Sequence, residues 1–280
     1  FNYHKGARQQ WLDERRFIYN DFSLMAISRI CDVELGIVDT LPFQVDSFCP
    51  VNQYLSSFNY ERLEYAMPGY GYINSSLEDA RTHDDKEGIV LYDLEGTFVD
   101  EITISNVLSL PQSNITNRGF HFFTHSQFSK CGTFLSFLHR CVESDITKRK
   151  TQLVVYDIAA KEIHIPATTG MVSHYCWSKS NDILMYASVD DRDGHYFLSL
   201  PDLNFHDFYP DVLDSDGHQS ISECGSFVLV DTYPNKYRVQ KLYYFDLNSS
   251  GYSIVAEITH PRKFQSPDIY HHWCCDLTPR

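Results

Sequence analysis

Three observations predict an all-β chain, a β-propeller built of four-stranded blades. The first is a recurring unit. "THSQFS" (Thr124 to Ser129), "SHYCWS" (Ser173 to Ser178) and "GHQSIS" (Gly217 to Ser222) each place a histidine four residues before a serine, with an apolar residue just before that serine. His125, His174 and His218 therefore occupy one position of the unit, and Phe128, Trp177 and Ile221 another. The second is the segment after each serine: "SKCGTFLSFLHRC", "SKSNDILMYASVD" and "SECGSFVLVDTYP" read as a tight polar turn and then an apolar strand. The third is composition, with aromatic residues at 15% (19 Tyr and 19 Phe), which suit a pleated surface. A period of about 40 to 50 residues holding several short strands is the mark of propeller blades. A β-sandwich is the competing architecture, but its strands would not repeat histidine, turn and Tyr-Asp-Leu in one order.

Each blade takes its elements from a separate stretch. "QWLDERRFIYNDF" (10 to 22) opens a first blade, and "CPVNQYLSSF" (49 to 58) supplies the turn and strand of a second, closed by "GIVLYDLEGTFVDEI" (88 to 102). "TQLVVYDIAAKE" (151 to 162), "HYFLSLPDLN" (195 to 204) and "QKLYYFDLNSSG" (240 to 251) are the closing hairpins of three more. Inner strands are expected to begin near Arg8, Val45, His125, His174 and His218. Five blades are counted. "HHWCCDLTPR" reads as the entry to a sixth, with Thr278 where the unit would place histidine, and seven blades are expected in the complete protein. Residues 1 to 280 are expected to form one propeller domain with an inserted loop around 59 to 87, because "YERLEYAMPGYGYINSSLEDARTHDDKEG" breaks the period. The rings of that insertion, Tyr70 among them, could stack on sugars or simply pack the loop on itself.

A formal net charge of −14 argues against a general nucleic-acid or anionic-membrane binder, since phosphate recognition needs a basic field. The eight cysteines contain no CxxC pair, so neither a zinc ribbon nor a small disulfide framework is indicated. No apolar run is long enough to span a bilayer, and "FNYHKGARQQ" lacks the apolar core of a signal peptide. The sequons at Asn74, Asn114 and Asn248 are too common by chance to show secretion.

The stretches "QQWL", "IYNDF", "ERLEYAMPGYGY", "THSQFS", "FLHR", "MVSHYCW", "DGHQSIS", "VDTYP" and "CCDLTPR", in that order, resemble TolB-type propeller proteins found near bacterial polysaccharide genes. More distantly the chain is similar to propeller polysaccharide lyases, the seven-bladed ulvan lyases and oligogalacturonate lyase. That resemblance implies β-elimination from a uronate. The reaction needs a base for the proton alpha to the carboxylate, groups that neutralise the carboxylate, and an acid for the leaving oxygen. Ulvan lyases place two histidines, a tyrosine and an arginine around the channel, and the matching positions are His125, His139, Tyr175 and Arg192. Tyr175 would transfer the proton, His125 and His139 would orient it or neutralise the substrate, and Arg192 would anchor the acid group. Arg140 competes for the anchoring role, and His174 and His218 join Tyr70 as substrate-binding candidates. His195 with Cys275, or with His271, His272 and Cys274, offers nitrogen and sulfur ligands suited to zinc; the resemblance implies a structural metal beside the channel, and His195 and Cys275 are carried forward as its ligands.

Each of these residues has a plainer reading. Channel histidines bond neighbouring strands, Tyr175 is one of many packed rings, Arg192 sits in a charged turn, and Cys275 serves as a small buried apolar group. Two function classes therefore stand: an enzyme cleaving an acidic polysaccharide, and a noncatalytic propeller binding glycan or protein in surface-polysaccharide assembly. A secreted or periplasmic location is expected, with the cytoplasm left open.

Overall fold

The computed structural model describes residues 6–21, 26–72, 87–143, 148–264, 277 and 279. Cys275, His271, His272, Cys274 and Thr278 lie outside them, as does most of "HHWCCDLTPR". Among the described residues twenty strands form five four-stranded antiparallel sheets, and each sheet takes its strands in chain order. The chain divides into two compact units, Phe1–Gly170 and Met171–Arg280.

The first unit holds three sheets. They comprise β1 (Gln10–Trp11), β2 (Arg16–Asp21), β3 (Ile27–Asp32) and β4 (Gly36–Leu41); then β5 (Ser47–Cys49), β6 (Tyr54–Phe58), β7 (Gly88–Asp93) and β8 (Phe98–Thr103); then β9 (Phe120–Phe128), β10 (Phe134–Val142), β11 (Arg149–Asp157) and β12 (Glu162–His164). The second unit holds two, β13 (Val172–Trp177), β14 (Ile183–Val189), β15 (Arg192–Ser199) and β16 (Asn204–Asp207), then β17 (Gln219–Ile221), β18 (Phe227–Asp231), β19 (Val239–Asp246) and β20 (Gly251–Thr259). No described helix is long and apolar enough to cross a membrane.

The turns explain the repeat seen in the sequence. The amides of Ser129, Ser178 and Ser222 each bond back across the turn, to the carbonyls of Phe134, Asp182 and Phe227. The fourth turn residue is Gly132, Asn181 or Gly225, and all three have φ between 67 and 76°. Glycine enters that left-handed region without steric cost, and asparagine is among the few other residues that tolerate it.

Apolar positions then fix the packing. In the first unit Leu12, Ile18, Ile30, Leu41, Val45 and Leu55 close the space between the first two sheets, with Phe43 stacked on Tyr92 at 3.8 Å. A larger core gathers Leu63, Ile89, Leu91, Phe122, Leu135, Phe137 and Val154. In the second unit Leu184, Phe208, Leu213, Val228, Val230, Tyr243 and Phe245 form the core. Trp177 is buried, as the sequence requires of its position.

The insertion begins as a short helix, α1 (Tyr60–Ala66), where the sequence suggests only a loop. Asn59 caps it by accepting a hydrogen bond from the Arg62 amide at 2.9 Å. The helix docks by burial: Tyr60, Leu63 and Ala66 enter the larger core, and the Arg62 guanidinium lies over the Phe120 ring at 4.4 Å.

Candidate functional site

Counting four residues back from the first residue of each turn reaches Arg8, His125, His174 and His218, and in the second sheet Val45. In the first two sheets this position gathers around a buried carboxylate. The acidic neighbour of Val45, Asp46, is fully buried and accepts hydrogen bonds from the Ser126 amide (2.8 Å), the Ser126 hydroxyl (2.7 Å) and the Tyr60 hydroxyl (2.7 Å). Arg8 completes the cluster, with its Nε 3.1 Å from the same carboxylate. Burial, together with the Asp46 charge, raises the Tyr60 hydroxyl well above its ordinary pKa, so it stays a donor. Through Tyr60, helix α1 is therefore tied to the strand entry of the second sheet and, by the shared carboxylate, to that of the first.

His125 sits at a β-bulge. Thr124 opposes Leu138 and Gln127 opposes Ser136, so His125 and Ser126 share one partner on β10, and His125 takes φ 57°. A bulge re-aims a side chain out of the sheet plane. The His125 ring lies 6.2 Å from that of Tyr70, and the Thr124 hydroxyl meets its Nδ1 at 2.9 Å. Arg140 is buried next to the insertion, its Nη1 3.1 Å from the Met67 sulfur. The structure thus brings His125 and Tyr70 together and sets Arg140 beside the residue that ends α1.

His139 takes a different course, because adjacent residues of a strand face opposite ways. It has no exposed surface. Gln152 donates to its Nδ1 at 3.0 Å, which puts the ring proton on Nε2, and Nε2 then donates to His121 Nδ1 at 3.0 Å. Burial, and secondarily the His121 neighbour, pulls its pKa down to about 3. His139 is a neutral link in a buried chain, with both ring nitrogens occupied, and cannot meet substrate as placed.

The second unit carries an open arrangement. His174 and His218 pack ring on ring with centroids 4.2 Å apart. His174 Nδ1 lies 3.1 Å from Asp216 Oδ1, and His218 Nδ1 lies 3.1 Å from both oxygens of Asp231. The Tyr233 ring stands 6.1 Å from each imidazole. The histidine side chains remain 22% and 20% exposed, whereas Asp231 is buried at 1%. Burial pushes the Asp216 carboxyl up, but hydrogen bonds from His174, Ser173 and the Gly217 amide outweigh it and hold the pKa below its ordinary value. A carboxylate on Nδ1 keeps the proton there and leaves the Nε2 lone pair as the basic site. Two such dyads in contact, beside a phenol, can accept, hold and return a proton.

Local structure explains this placement. Val172 opposes Ala187 and Tyr175 opposes Met185, so Ser173 and His174 form a bulge on β13 comparable to that of His125. His218 precedes β17 in regular register: its amide bonds Asp231 Oδ1 at 2.6 Å and its carbonyl accepts from the Asp231 amide. The other expected residues stand outside the two dyads. Tyr175 is buried in its sheet at 6% exposure. Arg192 opens β15, and its guanidinium is held by Asp207 and lies over the Tyr196 ring. His195 is buried, donating from Nε2 to the Ser215 carbonyl and accepting at Nδ1 from Gln219, both at 3.0 Å. Neither ring nitrogen is left for a metal, so His195 does not fit the ligand role, and burial lowers its pKa. Among the described residues no group of three or more His, Cys, Asp or Glu is arranged to hold a metal ion.

Sequence reasoning missed Asp216, Asp231 and Tyr233. The signals were present in "DSDGH" and "VDTYP", yet only the folded chain shows which carboxylate faces which histidine.

No protein-family model matches the chain, and no curated protein matches it in sequence. Solved structures do. An oligogalacturonate lyase in complex with manganese aligns at 12% identity over 92% of this chain, with a TM-score of 0.55. An acylaminoacyl peptidase of Pyrococcus horikoshii aligns at 12% over 85%, with a TM-score of 0.54. TolB of Acinetobacter baumannii aligns at 12% over 86%, and its TM-score of 0.46 is too low to add to them. This chain spans 66% of the lyase chain, 37% of the peptidase and 52% of TolB. Identity at this level speaks of fold alone. With five consecutive four-stranded antiparallel meanders, it identifies the chain as an all-β protein of propeller blades.

Proposed function

We propose that this protein cleaves an acidic, uronate-containing glycan by β-elimination, and that its centre is the pair of histidine dyads in the second unit. The contact between His174 and His218, each tied to its own carboxylate, is the observation that carries the proposal. The fold shared with an oligogalacturonate lyase is consistent with it. In this reading His218 Nε2 takes the proton alpha to the carboxylate, and Asp231 stabilises the imidazolium that forms. The electron pair of the broken C–H bond becomes the new C=C bond as the glycosidic C–O bond opens. The Tyr233 hydroxyl gives its proton to the leaving oxygen, and the His218 imidazolium afterwards restores it. His174, held by Asp216, meets the substrate carboxylate as a hydrogen-bond donor. Tyr233 replaces Tyr175 in the proton-transfer role because Tyr175 is buried. His125 and Tyr70, brought together in the first unit, remain a glycan-contact candidate.

The test is ultraviolet absorbance of the unsaturated uronate released from ulvan, polygalacturonate and other uronate polymers. His218→Ala is expected to lower the cleavage rate about 10²–10⁴-fold, the usual worth of a positioned acid or base. Tyr175→Phe is expected to leave it within a few fold. No cleavage by the wild-type protein of any uronate polymer would overturn the enzymatic reading.

A further inference from the structure

An acidic substrate needs a cation, and the centre is otherwise acidic. Asp216 and Asp231 sit against the histidines, and Asp193, Asp216 and Asp214, after burial, help push the nearby Tyr186 hydroxyl up to about 12. The arginine expected to supply the charge, Arg192, is committed to Asp207. The loop joining β18 to β19, residues 232 to 238, offers another source. It is tied into the centre at its start, where the Tyr233 amide donates to the Asp216 carbonyl at 3.2 Å. Its tip is built by Asn235, whose side-chain oxygen accepts from the amides of Tyr237 (2.9 Å) and Val239 (3.1 Å). Its far end is fixed by Arg238, whose Nε donates to the His260 carbonyl at 2.6 Å.

This braced tip presents Lys236 and Tyr237. The Tyr237 ring is 72% exposed, and the Lys236 ammonium stands 5.1 Å from its centroid. Lys236 makes no ion pair with a described carboxylate. Holding a large ring in water beside an ammonium serves no packing purpose, yet it matches a charged sugar: the pyranose C–H face stacks on the ring and the carboxylate meets the ammonium.

We infer that Lys236 and Tyr237 form an outlying subsite of the proposed centre, binding a uronate residue of the glycan displaced from the bond that is cut. The inference rests on the glycan-cleaving reading for its ligand, but its test reads binding and stands without cleavage. The probes are oligogalacturonate and ulvan oligosaccharides and their carboxyl-reduced neutral forms, titrated calorimetrically against the full chain at low and high salt. Wild-type protein is expected to prefer the charged form, by a margin that shrinks as salt rises. Lys236→Ala is expected to weaken charged-oligosaccharide binding about three- to tenfold and to remove most of that salt dependence, with Lys236→Arg restoring both. Tyr237→Ala is expected to weaken charged and neutral forms alike. Thermal melting of each variant, unchanged because both residues are exposed, excludes misfolding as the cause. Equal binding by wild type and both alanine variants, or no binding of any acidic oligosaccharide, overturns the subsite. Normal subsite behaviour with no cleavage would overturn the enzymatic reading alone.

Discussion

His139 shows how one side chain can carry the right chemistry in the wrong surroundings. The string "FLHR" offers a histidine beside an arginine, but strand alternation and the Gln152 bond turn that histidine into a buried neutral link. Its folded pKa of about 3 lies below the ordinary histidine value, so the unfolded chain binds the extra proton as pH falls. The stabilisation is complete above about pH 6.5 and is lost progressively down to about 3, at about 1.4 kcal/mol per unit of pH. Urea titrations at pH 7 and 5.5 are expected to show a shallower pH dependence for His139→Leu than for wild type. At pH 7 that variant should be less stable by about 1–3 kcal/mol, because Gln152 and His121 lose a partner. An unchanged pH dependence would remove His139 as the titrating group. The same residue-scale logic explains which histidines were legible: position in the unit marked His174 and His218, while burial and partners lay beyond the reach of the string.

At the scale of elements, α1 was the least legible part. "YERLEYA" is a single short stretch rich in aromatics, and what makes it a helix is the Asn59 cap and the core that receives Tyr60, Leu63 and Ala66. Both supports are long-range or conformational facts. Tyr60→Phe is expected to lower stability by about 1.5–3 kcal/mol, since it removes a donor from the buried Asp46 carboxylate. Gly71→Ala tests the return of the chain. A Cβ there would come within 2.0 Å of the Tyr60 carbonyl and 2.4 Å of the Glu64 amide, and Glu64 itself holds the Gly71 amide at 2.9 Å. Chemical denaturation should show a loss at least as large as that of Tyr60→Phe, and a neutral outcome would mean that the turn is free to shift.

At the scale of the whole molecule, the third, fourth and fifth sheets were readable because their first turns repeat a left-handed residue at fixed spacing, a local rule that strand pairing merely completes. The carboxylates of the dyads were not, because each reaches its histidine from another segment of chain. Strand order also sets how well each strand is protected. β20 is an edge strand with Tyr252, Ile254, Val255 and Ile258 exposed, and β19 beside it is paired on both sides. Amide exchange is expected to be faster in β20 than in β19, and equal protection would show that something else covers that edge. The residue four places before each turn is Arg8, Val45, His125, His174 or His218, and the four-stranded order around it is the same every time. Backbone groups make the ladder, so the side chain at that place is not constrained by the sheet it enters. Whenever such a chain gains or loses a blade by duplication or deletion, it gains or loses one of these side chains in the same step. Reactive groups in this design are therefore inherited as parts of whole blades, and a new centre can arise by copying a segment before any single residue has changed.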